Sequence, residues 1–137
     1  MKKTIYGILA LLIVSCNENP KMEFSLNGKT GSIENGTIIY LDNADSQTDD
    51  LIDSTVVENN SFVFRTKLSK SPLHVVLRTK DYSHYRFLWL ENKPMTFDAT
   101  KTDFLNATVK GSYEENLGQN LRKEIENLSE EEQRKKK

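Results

Sequence analysis

Between Met22 and Val109 the chain is a succession of short apolar runs, each broken by Gly, Asn, Asp, Ser or Pro. Such punctuation predicts an all-β domain. The runs place strands at Glu23–Leu26, Thr37–Leu41, Ile52–Val57, Ser61–Thr66, Leu73–Thr79, His84–Glu91, Met95–Thr100 and Phe104–Val109. Asn27-Gly28 ends the first, and Gly31 to Gly36 turn into the second. Asp42–Asp50 reads as a loop, because nothing in it suits a core. Asn tolerates positive φ, so Asn59-Asn60 serves as a tight hairpin turn before the fourth strand. The period of two puts Phe62 and Phe64 on one face. Phe87–Leu90 is apolar at every position, which marks a central strand covered on both faces. Turn signals recur about every 8–12 residues, the spacing of an antiparallel β-sandwich of about eight strands. Its predicted core holds Phe62, Phe64, Val75, Leu77, Phe87, Leu88, Trp89 and Leu90.

The two ends follow other patterns. Met1–Cys16 has Lys2 and Lys3 at its head, an apolar run from Ile5 to Val14, and Ser15 before a lone cysteine. That is the layout of a secretory signal. A membrane span needs ~20 apolar residues, twice this run. The close Ile13-Val14-Ser15-Cys16 is similar to the lipobox of bacterial lipoproteins, in which the cysteine becomes the first mature residue and carries the lipid. Cys16 is therefore the expected lipidation site, and the lipid bilayer the expected partner. A single acyl chain holds a protein only marginally; two or more make attachment lasting. Residues 17–21 read as a tether, 22–111 as the sandwich domain, and 112–137 as a helix with a charged tail.

Ser112 and Glu115 form an S-x-x-E capping box at the start of that helix. Tyr113, Leu117, Leu121, Ile125 and Leu128 fall on one stripe. A stripe that apolar needs a partner, either the sandwich or a following domain. The expectation is a helix over Ser112–Leu128, of which at most the first four turns dock, with Ser129–Lys137 mobile. The i,i+4 pairs Glu130–Arg134, Glu131–Lys135 and Glu132–Lys136 each add only a few tenths of a kcal/mol.

Composition narrows the chemistry. The chain has 137 residues, and removing 15 with the signal leaves 122, enough for one domain. Lys2 and Lys3 go with it, taking 19 basic residues to 17 against 20 acidic. No basic block lies in the folded part, so nucleic acid is not an expected partner. Cys16 is the single cysteine. Once lipidated it leaves no thiol for a disulfide, a metal site or a nucleophile. His74 and His84, on separate strands, lack ligand spacing, and they read as strand surface residues. The 42–50 loop lacks the calcium-loop pattern. No Ser-His-Asp order, phosphate loop or catalytic carboxylate pair stands out. The expectation is a chain with no catalytic residue, metal or cofactor. Tyr82, Tyr85, Phe87 and Trp89 make an aromatic-rich stretch; Phe87 and Trp89 read as core, and Tyr82, in the turn, as the candidate ligand-binding residue. Asp53-Ser54-Thr55 matches a short D-[ST]-x pattern for O-glycosylation at Ser54.

Several phrases occur together and in order: FSLNG (Phe24–Gly28), GTIIYLD (Gly36–Asp42), IDSTVV (Ile52–Val57), NSFVF (Asn60–Phe64), FLWLEN (Phe87–Asn92) and GSYEEN (Gly111–Asn116). This order resembles the uncharacterised N-terminal β-rich domain of Bacteroidetes thioredoxin-like (thiol:disulfide interchange) lipoproteins. The resemblance covers Phe24 to about Leu117. It implies a cell-envelope location and a fold, but this chain has no Cys-x-x-Cys pair. The expected role is a membrane-anchored, non-enzymatic accessory or binding module. The alternatives are a truncated or partial subunit of an envelope thioredoxin-like oxidoreductase, and a glycan-binding lipoprotein.

Overall fold

The structure is a computed structural model, and it describes residues 23–48 and 50–136. The signal expected at 1–16 with Cys16, the tether expected at 17–21, Met22, Asp49 and Lys137 lie outside the described residues. The strands are β1 (Phe24–Thr30), β2 (Ile38–Asn43), β3 (Leu51–Val56), β4 (Ser61–Thr66), β5 (Leu73–Arg78), β6 (Tyr85–Leu90), β7 (Pro94–Ala99) and β8 (Thr108–Lys110), followed by the helix α1 (Tyr113–Lys135). They form two four-stranded sheets, ordered β4-β1-β7-β8 and β3-β2-β5-β6. Residues from both sheets share one core, including Leu26, Phe62, Phe64 and Phe97 from the first and Leu41, Leu77, Leu88 and Leu90 from the second. The chain is thus an all-β sandwich with one C-terminal helix.

One strand pair departs from the expected antiparallel pattern. β1 and β7 run parallel, with Leu26 opposite Met95. No hairpin joins them. The chain visits the second sheet in between, and a long excursion is what a parallel pair requires. The turn at Asn59-Asn60 forms as expected, with φ of 49° and 57°. Glu58 and Ser61 close it through paired backbone hydrogen bonds of 2.8 and 2.9 Å. Beyond that bridge its strands part: β3 pairs with β2, while β4 pairs with β1. The turn is a corner between sheets.

Two other boundaries moved for local reasons. β1 runs through Asn27-Gly28 to Thr30. Gly28 lies opposite Phe62, whose ring covers it; a Cβ there would sit 2.1 Å from the ring. The glycine makes room for an aromatic face rather than a turn. Phe104 is buried but precedes β8 instead of opening it. Asp103 Oδ1 accepts the Asn106 N–H at 2.8 Å, and the side chain so closes a turn where a strand was expected.

The larger correction concerns β6, which lies at a sheet edge. Leu88 and Leu90 point inward as expected, but Phe87 is 49% exposed and Trp89 36%. Phe62, Phe64, Val75 and Leu77 are buried as expected. Trp89 is therefore partly covered and stacks on one neighbouring ring, His74. Trp89→Ala is expected to cost about 1–2 kcal/mol, the ring pair together with the partial burial of the indole. Urea unfolding followed by circular dichroism checks it, and a loss of ~3 kcal/mol or more would return the indole to the core.

The helix begins at the expected cap and then departs from expectation. Ser112, with extended φ and ψ of −111° and 131°, accepts the Glu115 N–H at 3.1 Å. Gly111 before it has φ of 101°, a conformation that suits glycine. The Glu115 carboxylate does not return to the cap. It reaches β6, where it accepts from Arg86 Nη2 at 2.7 Å and from the Trp89 N–H at 3.2 Å. Gln119 Nε2 donates to the Val109 carbonyl at 3.0 Å. The polar side of α1 thus faces the sandwich. The apolar stripe faces out: Tyr113, Leu117, Leu121, Ile125 and Leu128 are all exposed. The stripe does not dock on the sandwich. The helix also runs past Leu128 to Lys135, and the Glu130–Arg134 pair closes at 3.7 Å.

Candidate functional site: the outer face of the second sheet

The outer face of the second sheet is a grid set by strand register. Tyr40, Arg78 and Tyr85 stand side by side across β2, β5 and β6. Asp42, Val76 and Phe87 form the next row, and His74 faces Trp89 in the row beyond. The alternation along β6 sends Tyr85, Phe87 and Trp89 to this one side. Their inward counterparts are Arg86, Leu88 and Leu90.

The rings touch in sequence. His74 stacks on Trp89 with centroids 4.7 Å apart and planes inclined by 22°. Phe87 lies 5.9 Å from His74 and meets Tyr85 edge-on at 6.2 Å. On the other side of the grid the Arg78 guanidinium sits between two rings, 4.9 Å from Tyr40 and 4.7 Å from Tyr82. Its Nε donates to Asp42 Oδ2. Cation–π contact and ion pairing together hold Arg78 flat against the sheet.

Two loops rim the face. Tyr82 is half exposed and has φ of 56°, which is uncommon for a bulky residue. The turn around it is held by Asp81. Its Oδ1 accepts from the Ser83 hydroxyl at 2.8 Å, the Ser83 N–H at 3.1 Å and the Thr79 hydroxyl at 2.8 Å. Those donors, Ser83 foremost, hold the Asp81 carboxyl down at about 2. The opposite rim is the loop after β2. Asn43 Nδ2 donates to Asp50 Oδ2 at 3.1 Å, and the Ala44 N–H donates to the His74 carbonyl at 3.0 Å. His74 Nδ1 lies 3.0 Å from Asp45 Oδ1. Between the rims is a cleft of about 230 Å³, lined among others by Asp42, Asn43, Asp50, Val76, Tyr82 and Phe87. Asp42 is 5% exposed, and its Oδ1 has no hydrogen-bond partner among the described residues.

The sequence-predicted residues fall as follows. Tyr82 is exposed, on the rim of this cleft. Ser54 is exposed on β3, opposite Tyr40. His74 belongs to the aromatic row, while His84 flanks the Tyr82 turn, its Nδ1 3.1 Å from Ser83 Oγ. No three His, Cys, Asp or Glu side chains gather as a metal site among the described residues. No described helix is long and apolar enough to cross a membrane. Sequence reasoning missed Asp42 and Arg78. Asp42 is in the segment it takes for a loop, whereas β2 carries on through a bulge at Leu41 and Asp42 and turns that carboxylate under the rim.

Fold and face together define a two-sheet β-sandwich with one open aromatic sheet face and a projecting C-terminal helix. The chain belongs to the family described as "Domain of unknown function (DUF4369)", whose pattern matches residues 24–117. That span runs from the start of β1 into α1. No curated protein and no solved structure matches the chain.

Proposed function

We propose that this chain is a cell-envelope lipoprotein, anchored through lipid on Cys16, that acts as a non-enzymatic binding module. The observation that supports it best is the open outer face of the second sheet, where Tyr85, Phe87 and Trp89 are exposed while five phenylalanines are buried in the core. Contiguous apolar area of this kind marks sites of interaction on soluble domains. The anchor rests on the charged head, the short apolar run and Ser15-Cys16. Metabolic labelling with an alkyne fatty acid is expected to mark the protein, and Cys16→Ala to abolish the mark. A mutant that still labels would overturn the anchor.

A second reading is favoured by α1. Its outward stripe is the kind of surface that packs against another domain. With the resemblance to thioredoxin-like lipoproteins, that stripe supports a partial subunit of an envelope oxidoreductase. DNA sequencing past codon 137 tests this reading: a Cys-x-x-Cys frame there supports it, and its absence counts against it.

A further inference from the structure

We infer that the cavity between α1 and β8 binds a phosphate group. The cavity holds about 290 Å³ and shares no lining residue with the aromatic face. Two sides build it. Arg86 comes from β6 and Thr108 from β8, while α1 supplies Gln119, Arg122, Lys123 and Glu126. Those four are spaced so that they share one side of the helix. Gln119 turns that side to the sandwich by donating to the Val109 carbonyl.

Arg86 is 4% exposed, yet it lines the cavity. Its Nη2 is taken by Glu115, and its Nε is closed off from solvent. Nη1 makes no hydrogen bond to a described residue and is not closed off as Nε is, so it is the donor that Arg86 offers to the cavity. Arg122 and Lys123 form the wall. Neither has an ion pair among the described residues, although Glu126 follows Arg122 by one turn. Three cations thus meet one cavity whose only lining carboxylate is Glu126. Burial lowers the Arg86 pKa, Glu115 raises it, and the Arg122 charge lowers it again. The two guanidinium groups therefore repel each other, and an anion between them relieves the repulsion.

Geometry favours phosphate over carboxylate. A carboxylate binds best to a guanidinium that presents two N–H groups side by side. Arg86 has Nη1 alone to give, and a carboxylate paired with Arg122 leaves Nη1 and Lys123 unused. A phosphate has oxygens pointing several ways, and it takes single contacts from an arginine, a lysine and the Thr108 hydroxyl together. The group comes from a free phosphate monoester or from a phospholipid headgroup, two sources with the same chemistry.

The test is isothermal titration of the full chain in a polyoxyethylene detergent, which carries no phosphate, at about 0.15 M salt. Inorganic phosphate and glycerol phosphate are the probes, with succinate as the carboxylate control. A thermal-unfolding series adds phosphatidylglycerol to the micelles, since a bound ligand raises Tm. Phosphate or its glycerol ester is expected to bind saturably, and succinate ~10-fold more weakly or worse. Arg122 and Lys123 are exposed, so their variants fold. Arg122→Gln and Lys123→Gln are each expected to weaken binding ~10-fold, the loss of a charge-assisted hydrogen bond. Glu126→Gln removes the opposing charge and is expected to tighten binding about 2–5-fold. A Tm rise with phosphatidylglycerol that Arg122→Gln abolishes, without binding of the free phosphates, supports the site and assigns it to a headgroup. Succinate binding as tightly as phosphate overturns the phosphate. The site is overturned by silence from every probe, by binding that all three variants leave unchanged, or by binding that Glu126→Gln weakens.

Discussion

Glu115→Ala is expected to destabilise the domain by about 3–5 kcal/mol, because it strands a buried guanidinium. Arg86 and Glu115 are 4% and 5% exposed and bonded at 2.7 Å. Burial pushes the Arg86 guanidinium below its ordinary range, and the Glu115 charge opposes that shift. With Glu115 gone, nothing in the described surroundings offsets the burial; Arg86 Nε already lacks a partner there. The same substitution frees the Trp89 N–H at the sheet edge and unties α1 from β6. The loss is a large share of the ~5–15 kcal/mol that holds a domain together. Removing both partners is a different matter. Replacing a buried pair by apolar groups is often neutral or better. Arg86→Met with Glu115→Leu is therefore expected to recover most of the loss. Urea unfolding followed by circular dichroism decides it, and a cost under ~1 kcal/mol for Glu115→Ala would mean that the pair is hydrated and α1 is held by other contacts.

Phe62→Ala is expected to cost about 3–5 kcal/mol, the range for a large aromatic removed from a core. The Phe62 ring contacts three others, with centroids 6.1 Å from Phe64, 5.6 Å from Phe97 and 6.3 Å from Phe104. It also covers Gly28. Gly28→Ala is thus an overpacking change, costing about 1–3 kcal/mol or more, since the ring is hemmed in by its neighbours and cannot swing away. The two costs are not additive. Once Phe62 is alanine, the space above position 28 is empty and a methyl group fills part of it. The double variant is expected to be more stable than the sum of the two losses predicts, by about 1 kcal/mol or more. Strict additivity in a double-mutant cycle would show that the ring has moved off Gly28.

How much of this was legible depends on the range of the interaction. Ser61–Thr66 reads as a strand from its own residues, and the structure agrees to the residue, because Phe62 and Phe64 at a spacing of two need only one buried face while Ser61, Val63 and Arg65 take the other. The Asn59-Asn60 turn and the Ser112 cap were legible for the same reason: each is a contact between residues at most three apart. The aromatic stretch of the candidate face was legible, but only Tyr82 was read as exposed for binding, with Phe87 and Trp89 assigned to the core. Its other members, Asp42 and Arg78, are brought together across strands 36 positions apart, and no local pattern announces that pair.

β6 shows where the boundary lies. Its sequence, Tyr-Arg-Phe-Leu-Trp-Leu, divides by the period of two into Tyr85, Phe87 and Trp89 on one side and Arg86, Leu88 and Leu90 on the other. The residues by themselves determined that division. They also determined the strand, the neighbouring turns and the helix start. Which side faces the core was decided by the tertiary structure. Hydrophobicity alone favours burying three aromatic rings over an arginine. The fold does the reverse because α1 delivers Glu115 to Arg86 from 29 residues away, and a buried cation is tolerable only beside such a partner. Leu88 and Leu90 fill the core from the same side, and the ion pair makes Arg86 tolerable beside them. The same arrangement leaves the helix stripe uncovered, since the polar side of α1 is the side that meets the sheet.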